Sequence, residues 1–412
     1  MDKLNKLLQY AVTNIPAYGQ YKNKKLDIEV FPVVTKAEIK SNYSEYLSDE
    51  YLNDKERIVN VLEGKFEKLN SSYNEVYEFD NYIFEETTGT SGVPFRVVKT
   101  KSERIRASLS IWKHRKYYDD SVDTQNLFCL NHLGLHDQDK GTYNFTEENI
   151  VKLYKEIEES NARWLHVSPN PLYEHIKILQ KGKVSYNFSK IKYIECTGNY
   201  YNNQQEKLFH DYFGAEIVNQ YGSIETWGIA MSCKNKDLHV LQDNVYLELL
   251  DENNQIIDDY DKIGYVTVTT LNQRLMPLIR YQNGDLAMWK KNLCSCGICS
   301  PVLELAPGRK VHLIRGIDDR IFGNIFFMKV IQRAVRECKE MDTLTYVQVI
   351  QTAENEFTVY ANKLNNNDQF VESIKNLTEQ LLKKTYQFKT VILTDDLLLT
   401  KRSEKVNLFL CK

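Results

Sequence analysis

The stretch NYIFEETTGTSGVPFRVVKT, residues 81–100, most narrows what this chain of 412 residues can fold into. Its two flanks, NYIFEE and VPFRVVKT, alternate like strands. Between them Thr87-Thr88-Gly89-Thr90-Ser91-Gly92 packs four hydroxyls and two glycines into six residues. Glycine lets backbone N–H groups turn toward one point and the hydroxyls add donors, so a strand–loop–strand of this kind suits a phosphate. A Walker loop is excluded, because no Gly-Lys-Ser/Thr follows and Val93-Pro94 lead into a strand instead of a helix. Taken alone, the loop also reads as an ordinary turn.

The surrounding rhythm gives the fold class. Lys3 to Thr13 repeats apolar residues at helical spacing, Thr35-Lys36-Ala37-Glu38 after Phe31-Pro32 reads as a helix start, and a helix is expected from Ser102 to Tyr118. Strand-like segments at Leu127–Leu130, Tyr193–Cys196 and Glu216–Asn219 alternate with helical ones at Ile150–Ser160, Leu172–Gln180 and Gln204–Tyr212. That order predicts an α/β domain with a largely parallel sheet. After Asp243 the pattern turns antiparallel: VYLELLDENNQIIDD reads as a strand, an Asn-rich turn and a second edge, and GYVTVTTL alternates, so a β-rich subdomain is expected. Beyond Gly308 a helix (Phe326–Lys339), a hairpin (Tyr346–Gln351 with Glu356–Asn362), a helix (Gln369–Lys384) and a strand (Thr390–Leu393) suggest a small mobile α+β domain. The division expected is 1–308 and 309–412.

Lys+Arg number 53 against 56 Asp+Glu, a net charge of −3, so no uniform basic field exists for nucleic acid or an anionic membrane surface. No apolar run approaches the ~18–20 residues of a membrane helix, and MDKLNKLLQYAV lacks a signal peptide's apolar stretch, which leads to a cytoplasmic expectation. In that compartment the 8 cysteines are expected to be reduced, and clustering among them points to a metal or a reactive thiol.

Two further motifs carry chemistry. Tyr221-Gly222-Ser223-Ile224-Glu225 places a ring, a tight glycine and a carboxylate at the end of an expected strand, where open α/β sheets bind ligands and where a carboxylate can hold Mg²⁺ against a phosphate. Arg280-Tyr281-Gln282-Asn283-Gly284-Asp285 follows an alternating strand and is expected to end in a turn whose Asp accepts from a ribose diol. A solvated Glu and a plain Asn-Gly-Asp turn are the respective bland alternatives.

In this order, TTGTSG, YGSIE and RYQNGD together resemble the adenylate-forming superfamily of acyl-CoA synthetases and adenylation domains, and within it the phenylacetate-CoA ligase group with its capsule-biosynthesis relatives. The resemblance extends to IPAYGQY…FPVVTKAEI, to CSCGICSPVLELAPGR and to a small terminal domain ending in a lysine loop. It implies that Thr87, Thr88, Gly89, Thr90, Ser91 and Gly92 cradle ATP phosphates. Tyr221, with Gly222 and Ser223 beside it, would flank adenine, Glu225 would bind Mg²⁺, and Asp285 would hold the ribose. Thr197-Gly198-Asn199 would form the adenine-contacting loop, and Arg309 would open the linker to the small domain. Lys405, in Arg402-Ser403-Glu404-Lys405-Val406, matches the lysine that the terminal domain inserts during adenylation. Carboxylate attack on a phosphate brings two anions together, so a mobile ammonium arriving with the developing charge has a physical rationale. Lys401 is its neighbouring competitor.

Departures exist as well. The group has Thr and Arg where this chain has Asn283 and Gln282, and Gly308-Arg309 is followed by Lys310-Val311-His312, with Asp318-Asp319 only later, which leaves the hinge residue open.

Three thiols, Cys294, Cys296 and Cys299, lie around Gly297 and suit tetrahedral zinc, as in some members of the resembled group. Cys233 is expected as the fourth ligand, with His239 in reserve. His132, His136 and His166 lack a ligand spacing such as HExxH. Trp227 and Gly228 follow Glu225, where the resembled enzymes build the acid pocket, and an aromatic wall favours an aryl acid.

The function implied is an AMP-forming ligase that makes an acyl-adenylate from a carboxylic acid and MgATP, then passes the acyl group to the thiol of coenzyme A or a carrier protein's phosphopantetheine. Transfer to an amine or hydroxyl, or a non-catalytic zinc-stapled binding module, are the alternatives. Dimerisation is common in the resembled group.

Overall fold

The computed structural model describes residues 2–65, 76–87, 95–130, 136–137, 142–143, 146–198, 201, 203–260, 262–291, 294–309, 314–315, 321–322, 330–331, 333–334, 337–339, 347–353, 355–361, 363–382, 385–393 and 409–411. Helix α1 (Asp2–Asn14) buries Leu7, Leu8, Ala11 and Val12 against Ile15, Tyr18, Phe31 and Ile279. Strand β1 (Val34–Thr35) runs into α2 (Lys36–Ser41), whose start is fixed by a capping box between Thr35 and Glu38. Helix α3 (Leu52–Leu62) then packs Ile58, Val61 and Leu62 beneath a three-stranded sheet of β2 (Val76–Phe79), β3 (Tyr82–Thr87) and β4 (Phe95–Thr100). Thr100 caps α4 (Lys101–Tyr118) in a second box with Glu103, so the expected phosphate hairpin passes directly into a helix.

Among the described residues the main sheet has eleven strands. Its parallel part is β5 (Leu127–Cys129), β8 (Trp164–Val167), β9 (Tyr193–Thr197) and β10 (Glu216–Ser223), with the short pair β6 (His136–Asp137) and β7 (Thr142–Tyr143) paired with each other elsewhere. The crossover helices α5 (Glu147–Glu159), α6 (Pro169–Lys181) and α7 (Asn203–Phe213) cover one face through Ile150, Leu153, Leu172, Ile176 and Phe209, packed on Leu165, Ile194 and Ile217. On the other face α4 contributes Ile111 to a cluster with Trp164, Tyr193 and Val218.

The β-rich region is not a separate sheet. Strands β11 (Trp227–Ser232), β12 (Leu238–Val240), β13 (Val245–Leu250), β14 (Ile263–Thr270), β15 (Tyr281–Lys290) and β16 (Val302–Arg309) extend the parallel strands through β10–β11, β11–β12 and β12–β16 pairing. Two local expectations are corrected. The second edge in QIIDD forms only one bridge, Leu250↔Ile256, because the Asp251 carboxylate accepts from the N–H groups of Asn253 and Gln255 and closes a side-chain turn. The Asn-Gly-Asp expected as a turn lies inside β15. There Tyr265↔Leu286 and Thr267↔Gln282 leave three residues opposite one, a bulge that Gly284 accommodates at φ +88°.

Past two short strands, β17 (Ile314–Arg315) and β18 (Ile321–Phe322), a four-stranded sheet comprises β19 (Val347–Ala353), β20 (Glu356–Ala361), β21 (Gln387–Ile392) and β22 (Phe409–Cys411). Helix α8 (Asn367–Leu382) packs Phe370, Ile374 and Leu377 against Val349, Phe357 and Val359, a cluster drawn only from residues after 329. The expected hairpin, second helix and last strand of this region are present. Half of the expected Phe326–Lys339 helix lies outside the described residues. No described helix is long and apolar enough to cross a membrane.

Candidate active site

Strand β10 ends in YGS, and the turn 224–226 reverses the chain into β11. Gly222 is obligatory, since a Cβ there would collide with the Trp227 carbonyl oxygen. The Tyr221 hydroxyl donates to Asp285 Oδ2 at 2.9 Å across 64 residues of chain. Asn283 Nδ2 donates to both Tyr221 Oη and Asp285 Oδ2 at 2.9 Å, and Asn283 Oδ1 accepts from the Asp285 N–H at 2.9 Å. The bulge in β15 thus turns Asn283 and Asp285 toward Tyr221, and the residue that departs from the resembled pattern is part of the contact. Glu225 is 8% exposed, and its Oε1 accepts from the Tyr281 hydroxyl at 3.1 Å. The Gln273 side chain donates to the Glu225 carbonyl at 3.1 Å. No donor among the described residues reaches the other carboxylate oxygen of Glu225, a disposition that suits a cation.

The phosphate-loop hairpin meets the same turn. Thr87 Oγ1 accepts from the Phe95 N–H at 3.2 Å and closes the base of the loop. Lys99 Nζ donates to Glu85 Oε2 at 2.6 Å and to the Ile224 carbonyl at 3.1 Å, while the Trp227 indole N–H donates to Glu85 Oε2 at 3.0 Å. The strands flanking TTGTSG, the YGSIE turn and the RYQNGD bulge therefore converge on one place. Thr88, Gly89, Thr90, Ser91 and Gly92 lie outside the described residues.

At the end of β9, Thr197 Oγ1 donates to the Gln220 carbonyl at 3.1 Å, which puts Thr197 and Gly198 beside Tyr221 in the sheet; Asn199 lies outside the described residues. Arg309 ends β16 directly opposite Asp285 in register, whereas Lys405 and Lys401 lie outside the described residues.

Next to this end of the sheet Cys129, His166 and Glu195 are cross-strand neighbours on β5, β8 and β9. Glu195 is fully buried and takes a bidentate pair from Arg115 at 2.8 and 2.7 Å. Burial pushes its carboxyl up, but the guanidinium outweighs that and holds it below the usual range. Burial lowers the His166 imidazole against the opposing pull of Glu195.

A second cluster joins the β11–β12 hairpin to the connection between β15 and β16. Cys233 Sγ lies 3.5 Å from Cys294 Sγ, Cys296 Sγ lies 3.4 Å from His239 Nε2, and all four donor atoms fall within 4.8 Å of one another. Tetrahedral zinc with ~2.3 Å Zn–S bonds separates sulfur donors by about 3.7 Å, so three cysteines and one histidine fit. Cys233, expected as the fourth ligand, is in this set, and His239, held in reserve, stands where Cys299 was expected. Cys299 is exposed, directs its thiol to the Gly297 carbonyl at 3.8 Å and is not among these four donors. Burial pushes the Cys233 thiol up to about 12. A bound cation would displace that proton.

Sequence pattern singles out none of Glu85, Lys99 and Gln273, and Tyr281 only as a member of the RYQNGD motif. A lysine and a glutamate on the inward positions of NYIFEE and VPFRVVKT were the available signal.

No family model matches the chain. A segment of 111 residues is 30% identical to the phenylacetate-coenzyme A ligase of Thermus thermophilus, spanning 26% of this chain and 25% of that relative. Among solved structures, 2-hydroxyisobutyryl-CoA ligase in its postadenylation state with 2-HIB-AMP is similar over 96% of this chain and 85% of its own, with TM-score 0.65 and 14% identity. The acyl acid amido synthetase AtGH3.15 in complex with 2,4-DB is similar over 95% and 86%, with TM-score 0.60 and 15% identity. The anthranilate CoA ligase AuaEII with anthranoyl-AMP matches over 82% and 67%, with TM-score 0.55 and 10% identity. The chain has the mixed α/β fold of adenylate-forming ligases, in agreement with the resemblance carried by its motifs.

Proposed function

We propose that this chain is an AMP-forming ligase that converts a carboxylic acid and MgATP into an acyl-adenylate and pyrophosphate, after which a thiol of coenzyme A or of a carrier protein displaces AMP. The observation that carries the reading is the meeting of three distant stretches through Tyr221–Asp285, Glu225–Tyr281 and Lys99–Ile224. In this reading the loop 87–92 cradles the phosphates, Tyr221 and the Thr197–Asn199 loop flank adenine, and Asp285 and Arg309 hold the ribose. Glu225 would hold Mg²⁺, which when bound neutralises phosphate charge. Lys405, carried by a lid of residues 309–412, supplies the ammonium for the first step and leaves for the second. Cys233, His239, Cys294 and Cys296 would hold a zinc ion that ties hairpin to strand without taking part in chemistry. The half-buried ring of Trp227, beside Glu225, favours a flat aryl acid.

Acid-dependent exchange of labelled pyrophosphate into ATP, run over aryl and aliphatic acids, tests the reading. Exchange with an aryl acid supports it, and no exchange with any acid refutes it. The similarity to an amido synthetase makes an amine the second acceptor class to assay. Product analysis with coenzyme A, carrier protein and amines separates them.

A further inference from the structure

Glu85 on β3 and Lys99 on β4 belong to the hairpin whose tip is the hydroxyl–glycine loop, yet both reach sideways to the turn that carries Glu225. Their side chains are 6% and 1% exposed. Lys99 holds the carbonyl of Ile224, the residue before Glu225. Glu85 accepts the indole N–H of Trp227, two residues after Glu225, and Arg104 Nε lies 3.3 Å from Glu85 Oε1 with its guanidinium 4.9 Å over the Trp227 ring. Trp227 sits at φ +64°, a left-handed conformation that a bulky residue keeps only when its surroundings hold it. A buried ion pair is a weak source of net stability, and here its polar atoms are spent on two specific points of one turn.

We propose that Lys99 and Glu85 are positioning residues for Glu225: by gripping both flanks of its turn, they tie that carboxylate to strands β3 and β4. The proposal rests on the reading that Glu225 faces a nucleotide-bound cation. Neither residue touches that cation. Each acts through the backbone that sets where the Glu225 carboxylate stands, and outer partners of this kind are typically worth ~10–100-fold in metal affinity.

The test uses the full chain with Lys99→Met and with the double variant Lys99→Met/Glu85→Gln, which keeps shape and an indole acceptor and removes both charges of the lysine–glutamate pair. Three quantities are read: Mn²⁺ affinity of the ATP complex by electron paramagnetic resonance, ATP affinity without metal, and backbone amide exchange across 222–228. Both variants are expected to bind Mn²⁺ about tenfold more weakly with ATP affinity unchanged, and to exchange amides of the turn faster. The double variant is expected to recover thermal stability but not Mn²⁺ affinity, a split that a purely structural pair would not give. Should Lys99→Met alone fail to fold, the double variant decides. Wild-type Mn²⁺ affinity in a folded variant overturns the positioning role. Wild-type protein that binds no Mn²⁺ with ATP overturns the function reading and this proposal with it, whereas the first outcome leaves that reading standing.

Discussion

Replacing His239 by alanine tests the four-donor cluster against the alternative in which Cys299 is a ligand. Small Cys/His zinc sites bind with about 10–16 kcal/mol, so one donor in four accounts for about 2.5–4 kcal/mol, or ~10²–10³ in affinity. The geometry assigns that share to His239, whose Nε2 lies 3.4 Å from Cys296 Sγ while its Nδ1 faces the Ser300 carbonyl at 3.3 Å and fixes the ring. Cys299 should carry none of it, because its thiol points to Gly297. Zinc content after dialysis and competition with a chromogenic chelator measure both variants against wild type. Wild type should retain ~1 equivalent, His239→Ala should bind at least ~100-fold more weakly and melt earlier, and Cys299→Ala should match wild type. Less than about half an equivalent in wild type, or Cys299→Ala the more damaging change, would refute the reasoning.

Lys405→Ala should lower acid-dependent pyrophosphate exchange ~10²–10³-fold and leave ATP binding intact; unchanged exchange rejects the assignment. His175 is 1% exposed in the α5–α6 core and packs edge-on to Tyr154, and burial lowers its imidazole from 6.5 to about 4. The unfolded chain therefore binds a proton in that window that the folded chain refuses, so stability should fall as pH drops from 6.5 toward 4, by up to about 3 kcal/mol. Urea titrations of His175→Leu should show this part of the pH dependence removed, and an unaltered slope would contradict it. Glu195→Gln should cost about 3–5 kcal/mol by leaving the Arg115 guanidinium uncompensated over Trp112 and Trp164, and adding Arg115→Met should recover much of it. A single variant as stable as wild type would show that the pair is not what settles this face.

Much of this architecture could be read from local pattern. The Thr35 and Thr100 boxes, the crossover helices and the strands around TTGTSG follow from capping and periodicity, which act over a few residues. The Asn283–Asp285 bulge could not be, since Asn-Gly-Asp satisfies a turn equally well and only pairing with β14 and β16 makes it strand. The same holds for the zinc cluster. Cys299 is nearest in sequence, but His239 is brought to the cluster by β12, which pairs with β16 through His239↔Val302. Lys99 and Glu85 were hidden for a related reason: their partners, Ile224 and Trp227, lie 125 and 142 residues away.

The most direct measurement is a crystal structure with a non-hydrolysable acyl-AMP analogue. The account predicts the adenine beside Tyr221 and Gly198, the ribose hydroxyls on Asp285, and the phosphate between the 87–92 loop and Glu225. Density for the analogue at any other place on the protein would contradict the claim that these stretches form one nucleotide site.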